Sequence, residues 1–160
     1  MSYLKSALRA GLIVLLGASP AFANDMQTEA LAIINAQRAQ VGCGALKLHP
    51  ALQKAAAGHA SAMAAQNFFS HTGKNGSKLK GRINAAGYKW RAIAENIAAG
   101  QTSAAQVVSV WMQSAGHRQN MLNCAYSETG LAVVHQPDDQ PIKGNSYPFY
   151  YYWVQTFGSP

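Results

Sequence analysis

Phe149-Tyr150-Tyr151-Tyr152-Trp153-Val154-Gln155-Thr156-Phe157, close to the C-terminus, decides the fold class. The run is aromatic or β-branched apart from Gln155 and holds no charge, glycine or proline, so it reads as a strand. Tyr150, Tyr152 and Val154 alternate with Tyr151, Trp153 and Gln155, which sends two sets of side chains to opposite faces of a sheet. Core packing is the role expected of them. Working outward, Gln136 to Pro148 is polar and broken by prolines, hence a loop, and Thr129 to His135 reads as a second strand. The two strands can pair antiparallel across that loop.

Further upstream the period changes. Asn24 or Asp25 can cap a helix running to about Gln40, in which Met26, Ala30, Ile33, Ile34 and Val41 recur at roughly helical spacing. Gly42-Cys43-Gly44 stops it. Pro50 suits the first turn of a helix to about Gln66, with Leu52, Ala55, Ala56, His59, Ala60 and Met63 as its stripe. His59 lies on that stripe and is expected to be a hydrogen-bonded core histidine rather than a ligand. Residues 70–77 are loop by composition. A short helix is expected from Lys78 to Ala86, ended by Gly87. Ser103 and Gln106 form a capping box for another helix, with Val107, Val110, Trp111 and Ser114 on one face and Gly116 as its end. Helices first and strands last argue an α+β domain with helices covering the sheet.

The N-terminus reads as an export signal. Lys5 and Arg9 precede an apolar stretch from Gly11 to Ala18, and Ala21-Phe22-Ala23 supplies small residues for a peptidase. The stretch is shorter than the ~20 apolar residues of a membrane span. Cleavage near Ala23 divides the chain into a signal, 1–23, and a single domain, 24–160, that is secreted or periplasmic, monomeric and without a stable transmembrane anchor. The formal charge of +7 falls to +5 once Lys5 and Arg9 are removed, since the signal contains no acid. In an oxidising compartment Cys43 and Cys124, the two cysteines of the chain, are expected to pair rather than remain buried thiols.

Lys74, Lys78, Lys80, Arg82, Lys89 and Arg91 crowd into one segment without an acid among them. The segment is a solvated face or a contact for anionic lipid or cell-wall polymer. Nucleic acid is a poor partner for an exported chain without a nucleic-acid motif. Nucleotide fingerprints, G-x-S-x-G and H-E-x-x-H are all absent. What remains is dispersed. His71 follows Phe68-Phe69-Ser70. Glu95 sits in the apolar run Ile93-Ala94-Glu95-Asn96-Ile97-Ala98, where an unpartnered carboxylate is costly. His117 follows Ser114-Ala115-Gly116. Two histidines and one carboxylate suit a divalent metal such as zinc with a position open to water, and suit equally a metal-free hydrogen-bonded cluster. Spacing does not choose between them.

Phe68-Phe69-Ser70-His71-Thr72-Gly73, Ala94-Glu95-Asn96-Ile97-Ala98, Trp111-x-x-Ser114-x-Gly116-His117-Arg118-x-Asn120-Met121-Leu122 and Tyr152-Trp153-Val154-Gln155-Thr156-Phe157-Gly158 together resemble the bacterial branch of the CAP superfamily. This is the SCP domain shared with cysteine-rich secretory proteins, venom antigens and plant pathogenesis-related proteins. Asn35-x-x-Arg38 and His59-Ala60-x-x-Met63 fit it too. The resemblance implies a three-layer α-β-α sandwich with a central, mainly antiparallel sheet. It also implies a surface cavity lined by two histidines, matched by His71 and His117, and by two acids, the first matched by Glu95. The second acid's position is Ser114, which supplies no charge. The functions implied are binding of a lipid-like or envelope ligand, with a divalent metal on His71 and His117. The alternatives are a hydrolase, with Glu95 as base for a metal-bound water or Ser114 as nucleophile activated by His117, and an interaction protein using the basic 74–91 segment.

Overall fold

The computed structural model describes residues 20–160. The expected signal over 1–23 falls, except for its last four residues, outside that part. Five helices and four strands follow in the order α1 (Pro20–Gln40), β1 (Lys47–Leu48), α2 (Pro50–Ala65), α3 (Leu79–Ala85), β2 (Ala92–Ala99), α4 (Ala104–Gln113), α5 (Ala115–Met121), β3 (Glu128–His135) and β4 (Tyr151–Ser159).

The two strands read from the sequence pair antiparallel, with Leu131 opposite Gln155 and Val133 opposite Trp153. β4 starts at Tyr151, not Phe149, because Tyr150 takes a positive φ of 61° that leaves the extended region. Asp139, buried in the loop, accepts the backbone N–H groups of Phe149 (3.0 Å) and Tyr150 (2.9 Å) and the Tyr152 hydroxyl, and so fixes that corner. On the other edge of β4 lies β2, a strand that sequence pattern did not suggest. Its alanine-rich composition favours helix. Pairing along the whole length of β4 overrides that preference, with Glu95 opposite Thr156. Two-residue β1 lies parallel to β3, giving the order β1-β3-β4-β2. Beyond β1 the Gln53 side-chain amide continues the ladder, donating to Leu131 O (2.8 Å) and accepting from Leu131 N (2.9 Å).

The alternation in β4 sorts as the sequence demands. Trp153 and Phe157 pack with Ile34, Val107 and Trp111 under α1 and α4. Tyr152 and Val154 pack with Ala56, Ala60 and Met63 of α2. The result is the three-layer α-β-α sandwich. α2 can lie close because Gly130 faces it: a Cβ there would stand 2.2 Å from the Leu52 carbonyl carbon.

Helix ends account for three differences from expectation. α1 begins at Pro20, ahead of Asn24 and Asp25, so neither caps it. It stops at Gln40, where Gly42 takes φ 77°. His49 caps α2 by accepting from Ala51 N (3.2 Å). Ser103 accepts from Gln106 N, while Gln106 Oε1 turns to Thr102 N, so the expected capping box is displaced by one residue on that side. α4 does not run to Gly116. Ser114 is extended (φ −88°, ψ 122°), ends α4 after Gln113 and starts α5, and Gly116 lies inside the new helix. Arg118 Nη1 donates to the freed Met112 carbonyl (2.7 Å), which stabilises the break. On α4 the buried face holds Val107, Val108 and Trp111, whereas Val110 is exposed.

Cys43 and Cys124 form a disulfide, as expected. Beside it Arg38, wholly buried, donates to four carbonyls: Gly44 (2.9 Å), Met121 (2.7 Å), Asn123 (3.0 Å) and Tyr126 (2.7 Å). Disulfide and guanidinium together tie the end of α1 to the segment following α5.

Candidate functional site

Edge strand β2 carries the centre of the site. Its alternation sends Ile93, Glu95 and Ile97 toward the α2–α3 layer and Ala94, Asn96 and Ala98 toward α4 and α5. Glu95 is thereby drawn under cover, its side chain only 2% exposed. Both oxygens find cationic or N–H partners. His71 Nδ1 lies 2.8 Å from Oε1, and Arg82 Nη2 donates to Oε2 at 2.7 Å. Arg82 Nη1 also donates to the carbonyls of His71 (3.1 Å) and Ser77 (3.0 Å), so α3 anchors both ends of the 71–77 loop.

Glu95 accepts from His71 Nδ1–H, an arrangement that in the neutral imidazole leaves the Nε2 lone pair free. The His71 side chain is 57% exposed, so that nitrogen is available at the surface. His59, behind it on α2, is the satisfied core histidine expected from its stripe: buried, with Nε2 donating to Ser70 O at 2.9 Å. Burial is the main cause that holds its basicity below the usual histidine range, with the Arg82 charge acting in the same sense and Glu95 against it.

On the other side of β2, Asn96 Nδ2 donates to the His117 carbonyl (3.1 Å) and Asn120 Nδ2 to Asn96 Oδ1 (2.9 Å). These bonds clamp α5 to the strand and place His117. Its Nδ1 is buried without a hydrogen-bond partner. Burial, then the nearby His71 charge, lower its basicity. Ser114 sits half-buried at the α4–α5 break, where its side chain caps neither helix and does not bond to His117 Nδ1.

His71 and Glu95 are thus in contact, with His117 within electrostatic reach of His71. Among the described residues no three or more His, Cys, Asp or Glu side chains converge in a metal-binding arrangement. Glu95 orients the His71 imidazole through Nδ1. Glu95 itself is buried, with one partner on each oxygen.

Arg82 was not distinguished by the sequence from its basic neighbours. A signal existed: a carboxylate in an apolar run requires a cation, and the nearest basic segment supplies it. That segment is not one free face. Lys74 donates to Gln66 O and lies over the Phe68 ring (5.9 Å), and Lys80 lies over Trp90 (5.6 Å). Lys78, Lys89 and Arg91 remain exposed.

Among solved structures, the fold is similar to an extracellular protein containing an SCP domain from Bacillus anthracis (TM-score 0.74, 21% identity, 90% of this chain and 45% of that one). It is similar also to an outer surface protein of Borrelia burgdorferi (TM-score 0.70, 21% identity, 85% of this chain and 92% of that one). Two Bacillus subtilis proteins are similar in sequence. The uncharacterised protein YkwD is 28% identical over 72% of this chain and 45% of its own length, and the uncharacterised membrane protein YlbC 30% over 67% and 31%. The chain therefore spans less than half the length of these curated relatives. No helix among the described residues is long and apolar enough to cross a membrane. The sequence pattern of the cysteine-rich secretory protein family covers residues 31–157, from within α1 to the end of the β4 core, and includes every residue of the site: the chain belongs to the CAP, or cysteine-rich secretory protein, family.

Proposed function

We propose that this domain is an exported, non-enzymatic binding module whose ligand docks between His71 and His117. The observation that carries the reading is the burial of Glu95, whose side chain is 2% exposed and bonded to Arg82 and His71. A general base needs a lone pair aimed at its substrate, and this carboxylate is covered from solvent, with one oxygen turned to Arg82 and the other to His71. Glu95 acts instead through His71, holding the imidazole in one tautomer with Nε2 outward. Ser114, unbonded to His117 Nδ1, lacks the activation that a serine nucleophile requires. His71 and His117 would hold a divalent cation such as zinc, which would supply Lewis acidity toward an oxygen of a lipid-like or envelope ligand.

Isothermal titration with zinc, on native protein and on His71→Ala/His117→Ala, tests the site. Saturable binding by the native protein alone supports it, and equal binding by both removes it. Export with cleavage near Ala23 is read out by N-terminal sequencing of the released protein, expected to begin at Asn24. The exposed cations Lys78, Lys89 and Arg91 favour an anionic envelope partner. Charge reversal at these three is expected to abolish salt-sensitive binding to anionic wall fragments, while Arg82 is kept because it is Glu95's partner.

A further inference from the structure

Gly87, with a positive φ of 86°, follows the Ala86 cap of α3 and turns the chain back beside that helix. The return is fixed at two points. Tyr88 N donates to Ile83 O (3.3 Å), and Trp90 Nε1 donates to Asn84 Oδ1 (2.8 Å). An open cleft of about 380 Å³ forms there, lined by Asn84, Gly87, Tyr88, Lys89 and Trp90. None of these residues belongs to the His71–Glu95–His117 site.

Trp90 is a prepared platform in this cleft. Its indole packs against the cluster of Leu52, Ile83 and Tyr88 and is pinned at its edge by Asn84, so little motion remains to be lost on binding. It is half-buried, whereas Trp111 and Trp153, the other tryptophans, are wholly buried. The Lys80 ammonium stands over the ring, 5.6 Å from its centre, and Lys89 lies on the cleft wall. No carboxylate lines the cleft, and no acidic residue occurs anywhere from Lys74 to Arg91. An aromatic face beside two cations, with an amide at its edge, matches a ligand that is a hydroxyl-rich ring carrying negative charge. A bilayer is a poorer match. An aromatic anchor has to project from the surface to enter lipid, and this indole lies in a concavity with its N–H already bonded.

We propose that this cleft is a docking subsite for an acidic polysaccharide, with one sugar ring stacked on the Trp90 indole and its anionic group paired with Lys80 and Lys89. The proposal rests on the reading of an anionic envelope partner given above and supplies what charge alone lacks, a place for the sugar. Lys80 covers the indole face when the cleft is empty. An arriving ring takes that position, and the flexible lysine moves aside to the anionic group. The exposed Lys78 and Arg91 extend the positive surface for neighbouring sugars of the chain.

Tryptophan emission tests this, because Trp90 alone among the tryptophans is open to a ligand. The full chain is titrated with polygalacturonate oligomers, with neutral dextran, with polyphosphate as a polyanion without sugar, and with phosphatidylglycerol vesicles. Polygalacturonate is expected to change the emission saturably and in a salt-sensitive way, and dextran is expected to leave it unchanged. By calorimetry, Trp90→Ala is expected to weaken polygalacturonate binding about tenfold or more, with Trp90→Phe recovering part of it. Lys80→Gln/Lys89→Gln, which removes no packing, is expected to weaken it about tenfold as well. Polyphosphate is expected to bind with an affinity that Trp90→Ala does not alter. Polygalacturonate binding that survives Trp90→Ala but is lost on charge reversal at Lys78, Lys89 and Arg91 overturns the subsite and leaves the wider envelope reading in place. Absence of binding to either polyanion overturns both. An emission change with vesicles and none with polygalacturonate overturns the proposal in favour of a lipid surface.

Discussion

Glu95→Gln keeps the shape of the central side chain and removes its charge. Two donors converge on the carboxylate, Arg82 Nη2 at 2.7 Å and His71 Nδ1 at 2.8 Å. Glutamine has one acceptor oxygen and one amide NH₂, so it can accept from only one of them. Arg82 is 11% exposed and His71 57%, so water can replace the lost bond for His71 but hardly for Arg82. The oxygen therefore goes to Arg82, and His71 turns away or adopts the opposite tautomer. The stability lost is that of one charge-assisted pair, about 2 kcal/mol, below the ~3–5 kcal/mol of a fully stranded buried charge because Arg82 keeps its two carbonyl partners. For a domain of this size that lowers the melting temperature by roughly 6–8 °C. Binding should suffer more than folding: removing the carboxylate that orients a ligating histidine typically costs ~10–100-fold in metal affinity. Thermal melts followed by circular dichroism and zinc calorimetry on the same preparation measure both, and ¹⁵N shifts of the imidazole report the tautomer. A variant that melts within about 2 °C of native, or that retains zinc affinity with native His71 ring shifts, would refute the reasoning.

Arg38→Met should cost about 3–5 kcal/mol in urea unfolding, since four carbonyls lose a buried guanidinium, and Arg38→Lys should rescue little because an ammonium cannot reach all four in a fork. Gly130→Ala should cost about 3 kcal/mol, because its Cβ displaces α2 and strains the Gln53–Leu131 and Thr156–Leu52 bonds, while Gly116→Ala, with open space, should be neutral or stabilising. A small loss for Gly130→Ala would mean that α2 does not lie so close. Stability should also fall below about pH 6.5. His59 and His117 are less basic in the fold than the usual 6.5, so the unfolded chain binds more protons there; their contribution is complete above that value and is lost as pH falls through the lowered folded values. Urea midpoints that stay flat from pH 7 to about 5 would show that neither imidazole is kept neutral by burial.

The α+β class, the β3–β4 pairing and the buried stripe of α2 were legible because each rests on local periodicity: alternation in Tyr151–Phe157 and helical spacing from Leu52 to Met63. The disulfide was legible from the compartment implied by the signal. His71, Glu95 and His117 stood out as polar residues in apolar or glycine-rich surroundings, but only the family resemblance grouped them with Ser114 as one expected cavity, since no spacing joins residues so dispersed. β2 was not legible at all, and the α4–α5 break at Ser114 was misplaced to Gly116.

What the chain by itself determined is the set of elements and the types of side chain available to a site. Only the tertiary structure decided what those side chains became. Glu95 lies in an edge strand because β4 offered a partner along its whole length, and that placement brought it to a guanidinium 13 residues away in sequence and an imidazole 24 away. Arg82 changed from one of six basic residues into the counter-ion of the site, because a carboxylate withdrawn from water must be paired wherever the fold takes it. The same withdrawal left Glu95 with one partner on each oxygen, the Arg82 guanidinium and the His71 imidazole.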